Sequence, residues 1–245
     1  MKQTLLILSL LLSSVTYLFS SQVITTPEDI DKADNTYKIE DYTIPSFTQF
    51  LVAKEAARKD FSETNVAALN QKIEELKSYQ YPYSIVANIN GDPSTRMAFA
   101  WFTNDRMTEG KVQLTPLADL SQLNTVFDTA TDIITVDAVA TTTKKIRYAI
   151  GLSGIPEATG VPMSTKYKYT SHKAIAEGLT PNTLYAYRVG VEEAWSEVAY
   201  FMTAPTNVPD ASEEFTFIYM TDSHIQDQEF IDKALMTATA AVRNT

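Results

Sequence analysis

The spacing of apolar residues along the chain changes near residue 81. Before it, apolar residues recur every three or four positions, which is the repeat of an amphipathic α-helix. One helix is predicted through FTQFLVAKEAARK, opened by a capping box of Ser46 and Gln49, and a second is predicted through NVAALNQKIEELKSY. The polar and acidic residues 22–44 are interpreted as a flexible leader, so residues 22–80 are predicted to hold a leader and a helical segment.

After residue 81 the apolar positions alternate, as they do in strands with one buried face. The alternation is clear in SIVANIN and RMAFAWFT, which flank the turn signal GDPS. The residues expected to point inward here are Ile85, Ala87, Ile89, Met97, Phe99 and Trp101. Further strands are predicted at 111–114, 145–150, 167–177, 184–191 and 197–203, with NTVFDTATDIITVDAVATTT as one more strand within a Thr-rich insertion. Short strands separated by turns predict an antiparallel β-sandwich over residues 81–204.

The stretch GLTPNTLYAYRVG adds a motif to this pattern. Leu179, Pro181, Thr183 and Tyr185 reproduce the L-x-P-x-T-x-Y arrangement of fibronectin type III modules, which this part of the chain resembles. The resemblance implies a fibronectin type III or immunoglobulin-like sandwich in which the hydroxyl of Tyr185 bonds to nearby backbone. We therefore expect Trp101 and Tyr185 to be buried in or beside the sandwich core.

The pattern changes again beyond residue 204. Residues 205–214 are polar and contain proline, as is typical of a linker between domains. The following FTFIYMT is apolar at almost every position, which favours a strand buried on both faces. DQEFIDKALMTATAAVRNT then places its apolar residues on one helical face. Strand, short loop and helix predict that residues 215–245 begin an α/β domain.

The chain has two histidines, and only one of them lies in a setting that suggests chemistry. His172 has no acidic or cysteine ligand nearby at metal spacing, so we interpret it as an ordinary strand histidine. Asp222 and His224 follow the apolar FTFIYMT directly, and ligand sites in α/β sheets lie at the carboxyl ends of strands. Two residues apart on extended chain, both side chains leave on the same side and could bind one zinc, iron or manganese ion. An isolated Asp-x-His also occurs by chance, so the pair alone leaves both interpretations open.

The first 21 residues have the pattern of a secretory signal peptide. Lys2 precedes the apolar run 5–19, which is followed by small residues and is shorter than the roughly 18 to 20 residues of a membrane-spanning helix. We expect a secreted or periplasmic product with no membrane attachment after signal cleavage. The absence of cysteine means that core burial rather than disulfides must stabilise the fold. A net charge of -10 argues against nucleic acid as a partner.

Three consecutive segments of the chain resemble the N-terminal sandwich domain of purple acid phosphatases. They are YPYSIVANINGDPSTRMAFAWFTND, HKAIAEGLTPNTLYAYRVG and WSEVAYFMTAP. The Gly91-Asp92-Pro93 turn and the Trp101-Phe102-Thr103 tripeptide match that family's motifs. FIYMTDSHIQ is similar to the first motif of the catalytic domain, in the Asp-x-His form of the wider calcineurin-like metallophosphoesterases. The resemblance implies a dinuclear metal centre of iron, zinc or manganese, with Asp222 and His224 on one ion. It also implies hydrolysis of phosphate ester substrates.

The later motifs of those enzymes, Gly-Asp-x-x-Asp, Gly-Asn-His-Asp/Glu and Gly-His-x-His, do not occur in this sequence. We therefore expect the chain to be a truncated, inactive form of a secreted phosphoesterase, with no catalytic residues beyond the metal ligands Asp222 and His224. The alternative is a non-catalytic secreted sandwich module that binds glycan, protein or cell surface. An exposed aromatic row would favour this alternative, and its candidates are Tyr167, Tyr169 and Tyr200.

Overall fold

The computed structural model describes residues 23–142, 146–147 and 166–206. The predicted signal peptide, residues 1–21, and the predicted strand and helix of residues 215–245 lie outside the described residues. In the part that is described, no helix is both long and apolar enough to cross a membrane.

Three helices precede the strands. Their bounds are Pro27–Thr36 (α1), Ile44–Lys59 (α2) and Glu63–Glu74 (α3), with a 3-10 turn at Ile39–Asp41. The flexible leader predicted for residues 22–44 is wrong, because α1 lies within it. The Asp29 carboxylate accepts the Thr26 backbone N–H at 3.0 Å, and Ile30 and Ala33 are buried. Two apolar contacts on an otherwise acidic helix were too weak a sequence signal to predict it.

The capping box predicted at Ser46 and Gln49 is also wrong. Helix α2 begins at Ile44, and Thr43 is its N-cap. The Ser46 hydroxyl lies inside the first turn, 2.8 Å from the Thr43 hydroxyl. The second predicted helix is confirmed, but α3 begins at Glu63 and ends at Glu74, so both of its bounds lie earlier in the chain than predicted.

Eleven strands are described. They are Tyr83–Asn88 (β1), Met97–Asn104 (β2), Lys111–Pro116 (β3), Ile134–Asp137 (β4), Val139–Thr142 (β5), Ile146–Arg147 (β6), Lys166–Tyr167 (β7), Tyr169–Ala176 (β8), Leu184–Val191 (β9), Ala194–Trp195 (β10) and Ala199–Met202 (β11). Between β3 and β4 lie a 3-10 turn at Leu120–Gln122 and the short helix Val126–Thr129 (α4). All strand pairs are antiparallel.

The strands form two main sheets. The first sheet has the order β1-β2-β8-β5, and the second has the order β10-β9-β3-β4 with β11 also paired to β9. A small separate ladder joins β6 and β7. The predicted antiparallel β-sandwich is confirmed. The single strand predicted in the Thr-rich segment is wrong, because that segment supplies β4 to the second sheet and β5 to the first.

The sandwich core lies between the two main sheets. Trp101 and Tyr185 are 1% and 2% exposed, which confirms the prediction that both are buried. The prediction that Ile89 points inward is wrong, because β1 ends at Asn88 and the Ile89 side chain is 69% exposed. The buried core residues are Met97, Phe99, Trp101, Val112, Leu114, Ala174, Ala176, Leu179, Tyr185, Tyr187 and Val189.

The helical segment has a core of its own. Its buried residues are Ile24, Ile30, Ala33, Tyr37, Phe47, Phe50, Leu51, Ala57, Leu69 and Ile73. The link to the sandwich is polar: the Arg106 guanidinium lies 3.4 Å from the Asp41 carboxylate and 4.0 Å from the centre of the Tyr79 ring. The described helical segment and the sandwich therefore each have a core of their own, and a third, smaller cluster of Leu117, Val126 and Ala186 lies where α4 packs on β9.

Candidate functional site

The predicted metal ligands Asp222 and His224 lie outside the described residues. Within the described ranges, no group of three or more His, Cys, Asp or Glu residues is arranged to hold a metal ion. Asp222 and His224 therefore remain a prediction from sequence.

The other histidine, His172, is a buried packing residue. Strand pairing places it opposite Trp101, and the two rings stack with their centres 5.3 Å apart and an interplanar angle of 11°. Its Nε2 lies 2.8 Å from the Thr103 hydroxyl. Burial lowers the pKa of His172 from 6.5 to about 4, so the ring is neutral near pH 7. This environment agrees with the interpretation of His172 as an ordinary strand histidine.

Gly110 lets the chain pass over this ring pair. A Cβ atom at Gly110 would lie 2.7 Å from His172 Nδ1 and 2.9 Å from Trp101 Cζ2. The Gly110 carbonyl accepts the Ala138 backbone N–H at 2.8 Å, at the point where the chain leaves β4 for β5. The Trp101–His172 stack is therefore a structural element of the core.

Two sequence motifs prove to have structural roles. The Tyr185 hydroxyl accepts the Thr180 backbone N–H at 3.0 Å, so the predicted bond to nearby backbone is confirmed. In the turn between β1 and β2, Asp92 accepts the Ser94 hydroxyl and backbone N–H at 2.7 and 2.9 Å. These bonds from Ser94 lower the pKa of Asp92 and fix the turn, which Gly91 enters with φ of +79°.

The three tyrosines considered for an aromatic row do not form one. Tyr169 lies in the first sheet and packs edge-on against Phe102, with ring centres 4.6 Å apart. Tyr200 lies in the second sheet and is 52% exposed. Tyr169 and Tyr200 therefore do not share a face, which rules out a single row of the three, and the Tyr167 side chain lies outside what the structure describes.

An aromatic site that the sequence did not predict lies on the outer face of the second sheet. Arg188 donates from Nε and Nη2 to the Gln113 side-chain oxygen at 2.9 and 2.8 Å. Its guanidinium carbon lies 4.4 Å from the centre of the Phe127 ring and 4.6 Å from the Trp195 indole. Burial lowers the pKa of Arg188, but the group stays charged at neutral pH. Arg188 is thus held between two rings by a side chain of the neighbouring strand.

A cavity of about 520 Å³ adjoins this arrangement. Its lining residues are Glu109, Lys111, Gln113, Thr135, Arg188, Val191, Glu192 and Trp195. The sequence alone shows Gln113 and Arg188 as two polar residues of predicted strands, 75 residues apart, with nothing to connect them. The register of β3 on β9 brings them opposite each other, and no local sequence pattern encodes that pairing. The sequence feature that could have pointed to this site is Trp195, which is one of only two tryptophans and follows a turn.

Residues 82–203 match the family model of the purple acid phosphatase N-terminal domain. The sandwich is thus similar to that domain along nearly its whole length. The match supports the resemblance found in the sequence and points to a phosphatase family, in which this domain is the non-catalytic part. No curated protein matches the chain.

Part of the chain is similar to three solved structures of different kinds. Purple acid phosphatase PPD1 from yellow lupin (Lupinus luteus) seeds is 16% identical, with a TM-score of 0.34, over 51% of this chain and 20% of the lupin chain. A β-sandwich protein redesigned by computer is 16% identical, with a TM-score of 0.27, over 52% of this chain and 98% of its own. Astrotactin-2, a vertebrate-specific, perforin-like membrane protein, is 12% identical, with a TM-score of 0.31, over 53% of this chain and 23% of its own. The chain thus covers about a fifth of the lupin enzyme.

Proposed function

We propose that this chain is the N-terminal, non-catalytic part of a secreted, metal-dependent phosphoesterase of the acid phosphatase type. The observation that carries the proposal is the family match over residues 82–203. The apolar FTFIYMT and its Asp-x-His follow that domain in the same chain, in the order expected of such an enzyme. The product would be exported to the periplasm or the medium by its signal peptide.

The proposed organisation assigns each region a role. It comprises a signal peptide (1–21), a helical segment (22–80), the sandwich domain (81–204), a linker (205–214) and the start of the catalytic domain (215–245). Asp222 and His224 would bind one ion of a dinuclear iron, zinc or manganese centre, since a carboxylate and a neutral imidazole suit these metals. Such a centre supplies an activated water and stabilises charge on the phosphoryl oxygens. The substrate would be a phosphate ester.

The 245 residues alone should not catalyse the reaction. Asp222 and His224 supply two ligands, whereas a stable site of this kind takes about four or more. The second metal site and the general acid need residues that this sequence does not contain. We therefore expect weak metal binding by the isolated chain and no turnover of p-nitrophenyl phosphate.

The test compares the 245-residue chain with a product extended by any in-frame sequence downstream of codon 245. After metal removal and reloading, the extended protein should hydrolyse p-nitrophenyl phosphate, and His224→Ala should lower the rate by orders of magnitude. Asp210→Asn in the proposed linker is the matched control and should leave the rate unchanged. Hydrolysis by the 245-residue chain, or an extended protein insensitive to His224→Ala, would contradict the proposal.

The second candidate function is the alternative, a non-catalytic secreted sandwich module that binds glycan, protein or cell surface. The cavity beside Trp195 favours such a role, since it combines an aromatic side chain with several polar groups.

A further inference from the structure

The outer face of the second sheet presents two adjacent rows of side chains. In the first row, strand pairing aligns Thr135 of β4, Gln113 of β3 and Arg188 of β9. In the second row it aligns Lys111 of β3 with Gly190 of β9, and Gly190 with Trp195 of β10. The polar atoms of the first row therefore lie beside the indole of the second row.

Gly190 leaves a gap between two side chains of the second row. It lies between Lys111 and Trp195 and carries no side chain, and its own backbone is buried beside β10. The β9–β10 hairpin requires this glycine: its φ is +142°, and a Cβ atom would lie 2.3 Å from the Ala194 carbonyl oxygen. The gap is thus fixed by the backbone and does not depend on a side chain moving away.

The Trp195 ring is held in place before any ligand arrives. Arg188 lies over the indole at 4.6 Å, and Arg188 is itself fixed by Phe127 and by two hydrogen bonds to Gln113. Trp195 remains half-buried rather than fully covered. A fixed, partly exposed aromatic ring costs little entropy when it binds a ligand.

The charges around the cavity balance. Two exposed carboxylates, Glu109 and Glu192, face two cations, Lys111 and Arg188. The charge of Lys111 is offset by the Asp137 carboxylate 3.4 Å away, whereas Arg188 donates to the neutral Gln113 amide and keeps its positive charge. An anion such as a phosphate ester would meet the Glu109 and Glu192 carboxylates beside the Arg188 charge, so the site suits a neutral ligand.

We propose that this cavity binds a neutral carbohydrate through Trp195, Gln113, Glu192 and Arg188. A sugar ring presents an apolar C–H face, which can pack on the indole, and hydroxyl groups, which can bond to amide, carboxylate and guanidinium groups. The volume of about 520 Å³ lies within the ~300–1,000 Å³ of small-molecule sites. The proposal does not rest on the phosphoesterase activity, and the phosphatase assay has no bearing on it.

The two tryptophans make the binding measurable. Trp101 is 1% exposed in the core, so a ligand-induced change in tryptophan fluorescence reports on Trp195. The full chain is titrated with cellotriose, mannotriose and triacetylchitotriose, and with inorganic phosphate and choline as an anion and a cation. We expect a saturable change with at least one trisaccharide and none with either ion.

Variants then locate the site by calorimetry with the trisaccharide that binds. Trp195→Ala should weaken binding about tenfold or more, as loss of an aromatic anchor does. Glu192→Gln changes one exposed rim side chain and should weaken binding severalfold without affecting the fold. Tyr200→Ala removes an exposed aromatic of the same sheet outside the cavity and should bind as the unchanged chain does.

The proposal would be overturned by the absence of saturable binding with all three trisaccharides. It would also be overturned if phosphate or choline gave the saturable change instead, or if Glu192→Gln and Trp195→Ala, both shown to be folded by thermal melting, bound as tightly as Tyr200→Ala.

Discussion

At the scale of single residues, the core of the sandwich contains one polar ring that must stay uncharged. His172 is fully buried against Trp101, under the chain at Gly110, and bonds only to the Thr103 hydroxyl among the described residues. The sequence indicated an ordinary strand histidine, because no acidic or cysteine ligand lies near His172 in the chain, and its place in β8 agrees with that interpretation. Its burial could not be predicted, since it depends on the register that sets β2 beside β8.

The first prediction concerns acid stability. In the folded chain the pKa of His172 is about 4, against 6.5 for an unperturbed histidine. The unfolded chain therefore binds more protons than the folded chain between these pH values. The contribution of His172 to the free energy of unfolding is present in full above about pH 6.5 and is lost as the pH falls to about 4. The loss should reach roughly 2–3 kcal/mol in the free energy of unfolding, measured by urea denaturation across that range.

Two substitutions separate His172 from the other groups that titrate. His172→Gln has no proton to gain, so its unfolding free energy should change less between pH 6.5 and 4. His224→Gln removes the other histidine and should keep the full dependence. If the unfolding free energy changed equally with pH in the unchanged chain and in His172→Gln, His172 would not be the cause of the pH dependence.

At the scale of elements, strands were predictable where the alternation of apolar residues stays within one sheet. Strand β9 was predicted with its observed bounds, Leu184–Val191. In the Thr-rich segment the inward positions Ile134, Val136 and Ala138 keep a period of two, while the chain passes from the second sheet to the first. Period alone cannot reveal a change of sheet, so one strand was predicted where two exist. The sequence did not predict helix α1, because few of its residues are apolar.

The corner between β8 and β9 provides the second prediction. Tyr185→Phe keeps the ring, which stacks on Phe201 with centres 5.7 Å apart, but leaves the Thr180 backbone N–H without its acceptor. We expect a loss of ~1–3 kcal/mol in the free energy of unfolding, measured by urea denaturation. Tyr200→Phe removes a hydroxyl from an exposed ring and should change the free energy by less than about 0.5 kcal/mol. Equal effects of the two substitutions would mean that the corner hydrogen bond contributes nothing.

The hairpin of β9 and β10 provides the third prediction. Gly190→Ala forces a Cβ atom to within 2.3 Å of the Ala194 carbonyl oxygen at a φ of +142°, so we expect a loss of at least ~3 kcal/mol in unfolding free energy. Gly178→Ala is the matched control: its φ is +70° and nothing lies within 4 Å, so only ~1–2 kcal/mol of backbone strain is expected. Thermal melting ranks the two variants. A Gly190→Ala chain as stable as Gly178→Ala would show that the hairpin can relax, and that the gap beside Trp195 is not fixed.

At the scale of the whole molecule, the described helical segment and the sandwich each have an apolar core of their own, and a polar link joins the two. The sequence indicated both parts through the change of apolar period near residue 81, and its motifs indicated the domain family of the second part. It could not indicate the link, because Arg106, Asp41 and Tyr79 belong to different elements and only the fold brings them together.

The last prediction is that the helical segment and the sandwich unfold separately. Arg106 joins them through an exposed ion pair with Asp41 and a cation–π contact with Tyr79, which together contribute only ~1 kcal/mol. Arg106→Ala should therefore speed amide hydrogen exchange in α2 and α3 several-fold, since opening of the helical segment costs less, and leave exchange in β2, β8 and β9 unchanged. Lys77→Ala removes a weaker pair, 3.9 Å from the exposed Glu197 carboxylate, and should change little in either region. Equal acceleration in the helices and in the central strands would mean that the two cores form one cooperative unit despite the polar contact between them.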